Sequence, residues 1–281
     1  MKKFVLTTIF IIVAVVVIGM GIFIVSGIDN NINCVEYTVE NDKINNRIRA
    51  VCVSDLHCTR YGENQSELIK KIKDCSPDVI FCLGDIFDRT ANPEPSCEFI
   101  EGISGICPIY AIHGNHEHKT KDHMLNFINE LYKNSGIVLL DNDFVTVNIN
   151  GNEINICGTD NAEEGAISYE KKAALNMIGV DTAKYTVVLN HRPETYGLFI
   201  NKNIDLVLSG HAHGGQWVIK GKNNGIYAPN QGFFPQYAGG KYTFSDKMTM
   251  VVSRGLALSN TILPRVNNPP ELTVVNITHK Q

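Results

Sequence analysis

The 281-residue sequence lacks the features that mark several common classes of protein. It contains eight cysteines but no Cys-x-x-Cys pair, which argues against a zinc ribbon and against a thioredoxin-like redox site. Charged residues make up only 19% of the chain and the formal net charge is -4, so no basic surface of the kind that binds nucleic acid is evident. The sequence also lacks short-period repeats and low-complexity tracts. We therefore expect an ordinary folded protein with no nucleic-acid partner.

The longest apolar segment lies at the N-terminus, where Phe4 to Ile28 form a run of 25 residues without a charge. Such a run can cross a bilayer with ~30 Å of hydrocarbon, and its length and position argue against a buried core helix. It lacks an Ala-x-Ala-like site and exceeds the usual apolar region of a signal peptide, which favours an uncleaved anchor over residues 1–28. Because Lys2 and Lys3 precede it, we predict a single-pass protein of the cell membrane, with its N-terminus inside and its main domain extracytoplasmic.

The remaining residues, roughly 240, suffice for one large α/β domain but not for a second catalytic domain. Residues 29–47 are polar and rich in Asn, and Val35, Tyr37 and Val39 alternate with polar residues there. This pattern predicts a linker that contains a short edge strand. We assign residues 48–281 to the main domain.

The cysteines bear on the proposed export. An even number of cysteines in an exported chain is compatible with disulfides. Cys52, Cys82 and Cys157, however, lie within strand-like runs, where cysteine usually acts as a small buried hydrophobe. We interpret most of the eight as structural thiols. Cys58 is the one nearest the polar motifs described below, but its position alone does not make it a ligand.

Strands and helices alternate in the first half of the chain, and hairpins and strands follow in the second. Strands are predicted at 48–53, 78–83, 108–112, 185–189, 204–208, 249–252 and 271–277, and helices at about 65–75 and 121–133. Asn150-Gly151 marks a tight turn between hairpin strands at 144–149 and 153–157. Residues 214–240, rich in Gly, Asn and Pro, predict an irregular rim. This order favours two layered sheets with helices outside them.

Five polar motifs follow the predicted strands. In chain order they are Asp55-x-His57, Gly84-Asp85-x-x-Asp88, Gly114-Asn115-His116-Glu117, Asn190-His191 and Gly210-His211-x-His213. Open α/β sheets place their sites at the carboxyl ends of strands, where each of these motifs lies. Together the motifs offer enough carboxylate, amide and imidazole groups to hold two adjacent divalent metal ions. Such mixed ligands suit Mn, Fe, Zn or Co better than Ca.

The order of the motifs is more informative than any one of them. A lone Asp-x-His or Gly-Asp more often forms a turn or a cap than a metal site. Two cations roughly 3.5 to 4 Å apart can clamp the attacking and leaving oxygens of a phosphoryl displacement. A carboxylate can bridge them with its two oxygens, and Asp85, directly after Gly84 at a strand end, is our candidate for the bridge.

These residues resemble the calcineurin-like metallophosphoesterase superfamily, whose pattern is D-x-H, GD-x-x-D, GNH-E/D, a lone H and GH-x-H. Every element is present, in order, from Asp55 to His213. Residues 54–57, 210–216 and 268–272 look most like the membrane-associated branch typified by the bacterial YkuE and YaeI phosphoesterases. The resemblance implies an α/β fold, a four-layer α/β/β/α sandwich of two mixed sheets, preceded here by one transmembrane helix.

The resemblance also implies a ligand set for each metal ion. One ion would be bound by Asp55, His57, Asp85 and His213, and the other by Asp85, Asn115, His191 and His211. The catalytic residues would be His116, which donates a proton to the leaving oxygen or stabilises the transition state, and Asp88, which orients it. An imidazole is suited to proton transfer at neutral pH. A metal-bridging water would be the nucleophile, so that no covalent enzyme intermediate is needed.

Three further residues are candidate substrate contacts, and each has a structural alternative. Arg89 could bind a phosphate through its guanidinium or form a surface salt bridge. His118 is close to His116 in sequence but is also compatible with packing, and Trp217 more often packs within a loop. The histidines that fit no motif are interpreted as surface or packing residues; they are His113, His123 and His279.

The sequence therefore predicts a membrane-anchored phosphohydrolase with two divalent metal ions. Anchoring favours a lipid or an envelope phosphodiester as substrate, and some relatives in this branch cleave UDP-diacylglucosamine. The apolar run Gly232-Phe233-Phe234-Pro235 would contact lipid or pack within the rim. A soluble phosphomonoesterase or cyclic nucleotide phosphodiesterase is the alternative; the nearly neutral charge disfavours a nuclease. A metal-binding scaffold without turnover is disfavoured because His116 and Asp88 are both present. Lys2-Lys3 stands where some members of the branch carry twin arginines, which leaves the export route open.

Overall fold

Short apolar runs bounded by turn residues become strands, and amphipathic runs become helices. The computed structural model describes residues 2–159, 179–244, 248–258 and 264–280. Its helices are α1 (Lys2–Ser26), α2 (Ser66–Asp74), α3 (Glu94–Ile103), α4 (Asn115–His118) and α5 (Asp122–Asn134). Its strands are β1 (Asn33–Asn41), β2 (Ile48–Val53), β3 (Val79–Cys82), β4 (Ile109–Ala111), β5 (Val138–Leu139), β6 (Phe144–Ile149), β7 (Asn152–Gly158), β8 (Tyr185–Leu189), β9 (Leu206–Ser209), β10 (Tyr227–Ala228), β11 (Gly232–Phe233), β12 (Gly240–Thr243), β13 (Thr249–Val252) and β14 (Glu271–His279).

Twelve of these strands form two six-stranded sheets. The first has the order β1-β14-β2-β3-β4-β5, in which β2 to β5 run parallel and β14 runs antiparallel to β2. The second has the order β12-β13-β9-β8-β7-β6, with a parallel centre and an antiparallel strand at each edge. Both sheets are mixed, as predicted. The polar motifs follow the carboxyl ends of the parallel strands in both sheets.

The two sheets pack face to face. One apolar cluster contains inward side chains of both, including Phe81 and Tyr110 from the first sheet and Ile156, Leu189 and Leu208 from the second. Strands whose side chains are buried on both faces are mostly apolar: β3 is apolar throughout, and β2, β8 and β9 each contain a single polar residue. The packing of these side chains fixes the position of one sheet relative to the other, and so the position of the loops that follow their strands.

Further layers cover the outer faces. The outer face of the first sheet packs on α2, α3 and α5 through Leu68, Phe99 and Tyr132, among others. The outer face of the second sheet, in the part of the chain that is described, is covered by Phe199, Tyr237 and neighbouring residues around the 3-10 turn Pro193–Leu198. The predicted α/β fold of layered sheets is confirmed.

Helix α1 extends away from these layers. Its segment Phe4–Ser26 has a mean hydropathy of 3.1 and is exposed along its length, and by length and composition it is able to cross a membrane. The helix ends at Ser26, and buried Gly27 then contacts the body of the protein through Val266 and Asn267.

All eight cysteines are free thiols. Cys52, Cys82 and Cys157 are buried in strands, which matches their interpretation as small hydrophobes. Burial raises the pKa of Cys82 to about 12 and so disfavours the reactive thiolate. Cys58 lies at the site's border, where its Sγ accepts the backbone N–H of Asp88 at 3.3 Å.

Candidate metal centre

The five polar motifs come together at the carboxyl ends of the parallel strands. The loop after β2 carries Asp55 and His57, the loop after β3 carries Asp85, and α4 begins at Asn115 just after β4. The second sheet contributes His191 after β8, and His211 with His213 after β9. All seven predicted ligands are buried.

Asp85 lies at the centre of this group. Its Oδ2 is 3.2 Å from Nε2 of His191 and 3.5 Å from Nε2 of His57, and its Oδ1 accepts the backbone N–H of His116 at 2.8 Å. Burial acts to raise the pKa of Asp85, but the charges of His191 and His57 outweigh it and hold that pKa well below the usual range. The side chain therefore presents an anionic carboxylate to histidines on both sides.

Asp55 provides a second buried carboxylate in the cluster, next to Asp85. Its Oδ1 is 3.7 Å from Nε2 of His213 and 4.0 Å from Nε2 of His57. Both of its oxygens also accept the backbone N–H of His211, at 3.1 and 3.0 Å, and Ser54 donates its hydroxyl to Oδ2. These donors fix the carboxylate in one orientation before any ligand binds.

Three overlapping groups have side-chain ligand atoms that all lie within 4.8 Å of one another. They are Asp55 with His57 and His213, Asp85 with His191 and His211, and Asp85 with His57 and His116. The first two correspond to parts of the two predicted ligand sets. The third makes His116 a competing ligand, so its role needs a direct test.

The backbone is unusual at these positions. Asp55, His57, Asp85, His211 and His213 all adopt positive φ angles, between 46° and 64°. Only a few per cent of residues other than glycine adopt this left-handed conformation, and such strain concentrates at functional sites. Asp and His tolerate this conformation better than most residues other than glycine, and the surrounding hydrogen bonds stabilise it here.

Two glycines allow the loops to approach this closely. A Cβ atom on Gly210 would overlap Ser54 and lie 2.5 Å from Oδ2 of Asp55, and one on Gly114 would overlap Oδ1 of Asp85. The motifs therefore need glycine at these positions to make room for the carboxylates.

Hydrogen bonds also fix the imidazoles. His191 donates Nδ1–H to the carbonyl of Leu83 at 2.7 Å, which leaves Nε2 directed at Asp85. Nε2 of His211 lies 2.8 Å from Oδ1 of Asn230. A hydrogen bond to one ring nitrogen sets the tautomer and leaves the other free to bind a metal.

The donor set fits divalent transition metals. Imidazole nitrogens with carboxylate and amide oxygens suit Mn, Fe, Zn and Co. Within the described residues, Oδ1 of Asn115 is buried and has no hydrogen-bond partner. A buried polar atom is rarely left unsatisfied, and a cation would satisfy it. The clusters therefore support divalent metal binding.

His116 and Asp88 form a pair at the edge of the cluster. Nδ1 of His116 is 3.0 Å from Oδ2 of Asp88, which also lies 3.3 Å from Nδ1 of His57. The hydrogen bonds to His116 and His57 hold the pKa of Asp88 well below its usual range. The His116 side chain is 29% exposed, so it lies between the buried predicted ligands and solvent.

Glu117, in the third motif, connects the two loops of the first sheet. It is fully buried, and its carboxylate accepts the backbone N–H groups of Asp85, Phe87 and Gly114 at 2.8 to 2.9 Å. Burial raises the pKa of Glu117, while the donors from Phe87 and Gly114 act against that rise. The sequence places Glu117 in the third motif but gives no local sign of its contacts with the loop after β3.

We expect Glu117→Gln to loosen this clamp. An amide NH2 would face N–H donors, and a buried donor left unsatisfied costs about 1 to 3 kcal/mol. Urea unfolding of the chelator-treated protein should show a loss of this size, and Glu130→Gln, on α5 outside the site, should show almost none. Equal stability of the wild type and Glu117→Gln would contradict the clamping role.

The structure leaves the three candidate substrate contacts outside the cluster. Arg89 is exposed in the turn after Asp88. The His118 ring packs edge-on against His113 at 5.3 Å, and Trp217 donates Nε1–H to the carbonyl of Pro264 at 2.9 Å. His118 and Trp217 therefore have packing roles, and their contact with substrate stays a prediction.

Residues distant in sequence support the last motif. Asn268 donates its amide to the carbonyl of His213 at 2.7 Å, and the buried guanidinium of Arg265 lies 3.5 Å from Nδ1 of the same histidine. Asn230 contacts His211 as described above. The sequence gives no local signal for these three roles, because each contact joins loops separated by 19 residues or more.

Comparisons with known proteins agree with this geometry. A family model described as Calcineurin-like phosphoesterase matches residues 48–215. An uncharacterised metallophosphoesterase of Aquifex aeolicus is 28% identical over 254 residues, covering 87% of this chain and 91% of that protein. The phosphodiesterase YaeI of Escherichia coli is 24% identical over 229 residues, covering 80% of each. The crystal structure of TT1561 of Thermus thermophilus has a TM-score of 0.50 at 14% identity, covering 75% of this chain and 91% of that one, a likeness of fold alone.

The family match spans more than half of the chain and includes all five motifs. The similarity to YaeI confirms the predicted branch. The chain belongs to the calcineurin-like phosphoesterase family and is a metal-dependent phosphoester hydrolase.

Proposed function

We propose that the protein is a membrane-anchored phosphohydrolase with a dinuclear metal centre, which cleaves a phosphoester or pyrophosphate bond. The observation that carries this proposal is the position of Asp85, whose Oδ2 lies within 3.5 Å of imidazoles from both sheets. One carboxylate between two imidazole groups is suited to bridging two cations. Asp55, His57, Asp85 and His213 would hold one ion, and Asp85, Asn115, His191 and His211 the other.

When bound, two divalent cations would neutralise the negative charge of the phosphoryl group and lower the pKa of a bound water. The protein's own residues then determine orientation and proton transfer. Oδ2 of Asp88 lies 3.0 Å from Nδ1 of His116 and would orient the ring, which leaves Nε2 of His116 to carry the proton for the leaving oxygen. The 29% exposure of that ring puts it where a substrate arrives from solvent.

We further propose that the substrate is a membrane lipid or an envelope phosphodiester. The support is the apolar helix α1, which would confine the enzyme to the surface where such esters are found. A soluble phosphomonoester, a cyclic nucleotide and a nucleic acid are the rival substrates. The chain's net charge of -4 weighs against nucleic acid.

A substrate screen tests this proposal. The full chain in detergent micelles, loaded separately with Mn, Fe, Zn or Co, would be offered lipid diesters, soluble monoesters, cyclic nucleotides and single-stranded DNA. We expect the lipid diesters to give the highest kcat/KM. A soluble monoester or DNA cleaved best would replace the proposed substrate class, and the lack of any hydrolysis would refute the enzymatic function.

The membrane topology is part of the proposal. Residues 1–28 would be the anchor, 29–47 a linker with an edge strand, and 48–281 the phosphoesterase domain. Lys2 and Lys3, which precede the apolar segment Phe4–Ser26, favour an N-terminus inside and a domain outside the cell membrane.

Reporter fusions after Asn33 should reveal this orientation. Alkaline phosphatase, which needs an oxidising compartment for its disulfides, should be active there, and a cytosolic reporter at the same position should be silent. The opposite pattern would put the domain inside the cell, whose reducing conditions would keep its eight cysteines as free thiols.

A further inference from the structure

The end of helix α1 is attached to a specific part of the folded domain. The carbonyl of Gly27 accepts the backbone N–H of Asn267 at 2.7 Å. A Cβ atom on Gly27 would lie 2.5 Å from Cγ1 of Val266, so the helix end and this segment are in direct contact. The rest of α1 is exposed. If α1 crosses a bilayer, the segment around Val266 lies close to the membrane surface.

A ladder of backbone hydrogen bonds leads from this segment to the rim hairpin, defined here as residues 226–235, which contains β10 and β11. Val218 donates to the carbonyl of Val266 at 2.9 Å, and Ile226 donates to the carbonyl of Trp217 at 2.8 Å. Neighbouring strands lie ~4.8 Å apart, so the first strand of the rim hairpin is about 10 Å from the segment that holds the anchor. The anchor and the rim hairpin therefore share one side of the domain.

That side carries the domain's most exposed apolar side chains. Phe233 and Phe234 are 73% and 77% exposed, and Ile219 and Tyr227 are exposed beside them. The rings of Tyr227 and Phe233 pack edge to face at 5.5 Å, so they form one patch. Beyond α1 and Ile28, the only other large apolar side chains exposed in the described part of the chain are Phe127 and Val138.

The charges beside the patch fit a membrane surface. Lys220 and Lys222 are exposed next to Ile219 and line a cleft of about 490 Å³ at the end of α1. Arg254 lines the same cleft and is paired with Glu271 at 3.4 Å, and Asp29 is the other carboxylate there. Aromatic side chains flanked by lysines are characteristic of segments that lie in the lipid headgroup region.

The rim hairpin also borders the metal centre. Asn230, in the turn between β10 and β11, contacts Nε2 of His211 at 2.8 Å. Gly225, just before the hairpin, donates its N–H to the carbonyl of Gly214 at 2.9 Å, directly after His213. The exposed aromatic patch and a metal ligand are therefore joined by one short turn.

We propose that the rim hairpin inserts Tyr227, Phe233 and Phe234 into the headgroup region of the bilayer and so holds the mouth of the metal centre against the membrane surface. This inference rests on the proposed anchoring by α1. It identifies the substrate as an ester whose phosphate lies at the bilayer surface and reaches the metal centre while its acyl or alkyl chain stays in the membrane.

Fluorescence quenching tests the contact without any need for turnover. The chain has a single tryptophan, so Phe233→Trp combined with Trp217→Phe gives one reporter on the rim hairpin. The full chain would be reconstituted into vesicles of phosphatidylcholine and phosphatidylglycerol, with or without brominated acyl chains. Phe127→Trp combined with Trp217→Phe is the matched control, because Phe127 is an exposed side chain of α5. We expect brominated lipid to quench the hairpin reporter strongly and the control weakly; equal quenching at the two positions, or none at either, would overturn the proposal.

A second experiment uses variants that keep Trp217. Phe233→Ser with Phe234→Ser would be compared with Phe127→Ser on two diesters that share one scissile bond, hexadecyl p-nitrophenyl phosphate in vesicles and ethyl p-nitrophenyl phosphate in solution. We expect the double variant to lose roughly tenfold or more of its turnover on the hexadecyl ester, because two apolar contacts with lipid are lost, and to retain turnover of the ethyl ester within about twofold. Phe127→Ser should retain both activities.

The outcomes separate the two proposals. Equal losses on both esters would show that the phenylalanines support the fold, and no loss on either would show that they do not contact lipid; both results would overturn the inference. A wild type inactive on both esters would count against hydrolysis of diesters and not against the membrane contact, because the quenching experiment decides separately whether the hairpin meets the membrane.

Discussion

Asp85→Asn should nearly abolish hydrolysis and lower the metal content of the purified protein. The substitution keeps the shape of the side chain and leaves a carbonyl oxygen that can still accept the N–H of His116. It removes the negative charge that the imidazoles of His57 and His191 surround. Metal ions contribute several kcal/mol to phosphoryl transfer, so we expect kcat to fall by roughly 10²- to 10³-fold or more. Metal analysis by mass spectrometry and turnover of a chromogenic diester measure both effects.

Asp78→Asn is the matched control. Asp78 lies just before the first residue of β3, at the end of the strand opposite Asp85, where its Oδ2 accepts the backbone N–H of Arg49 at 2.7 Å. This variant should keep both metal content and turnover. Full metal content with normal kcat in Asp85→Asn would exclude the bridging role.

His116→Ala should have a different signature. We expect turnover to fall by roughly 10²- to 10⁴-fold, the usual effect of losing a general acid, while both metals remain bound. Its Nδ1 lies 3.0 Å from Oδ2 of Asp88, and the proposed role is that of a proton donor oriented by this carboxylate. Single-turnover kinetics and metal analysis on the same preparation distinguish a chemical defect from a loss of metal.

His116 could instead be a metal ligand, and this variant distinguishes the two roles. His116 also has a ligand atom within 4.8 Å of those of His57 and Asp85. Loss of metal together with activity would make His116 a ligand and not a proton donor. His123→Ala, at an exposed position of α5, should change neither quantity and controls for the removal of an imidazole.

Much of the sheet architecture could be predicted from the sequence, because buried strands appear as continuous apolar runs. The strands at 48–53, 185–189 and 249–252 match β2, β8 and β13 to the residue. Helix α3 was not predicted, because Asn92 and two prolines before and within its first turn resemble a loop. In the structure, Pro95 lies in the first turn of the helix, where a missing N–H costs nothing.

The candidate site also contains residues that the sequence predicts and residues that it does not. Asp55, Asp85 and His191 could be identified because each follows a strand, and the sheet brings strand ends together. The supporting contacts of Asn230, Arg265 and Asn268 could not be identified, because they depend on how the rim loops fold back over the last motif. The path of those loops depends on contacts between distant residues, so the local sequence does not predict it.

The most direct test of the central claim is anomalous diffraction from crystals grown with Mn²⁺. The account predicts two anomalous peaks roughly 3.5 to 4 Å apart, with the carboxylate of Asp85 between them and His116 bound to neither. A single peak, or two peaks of which only one contacts Asp85, would contradict a dinuclear centre bridged by this residue.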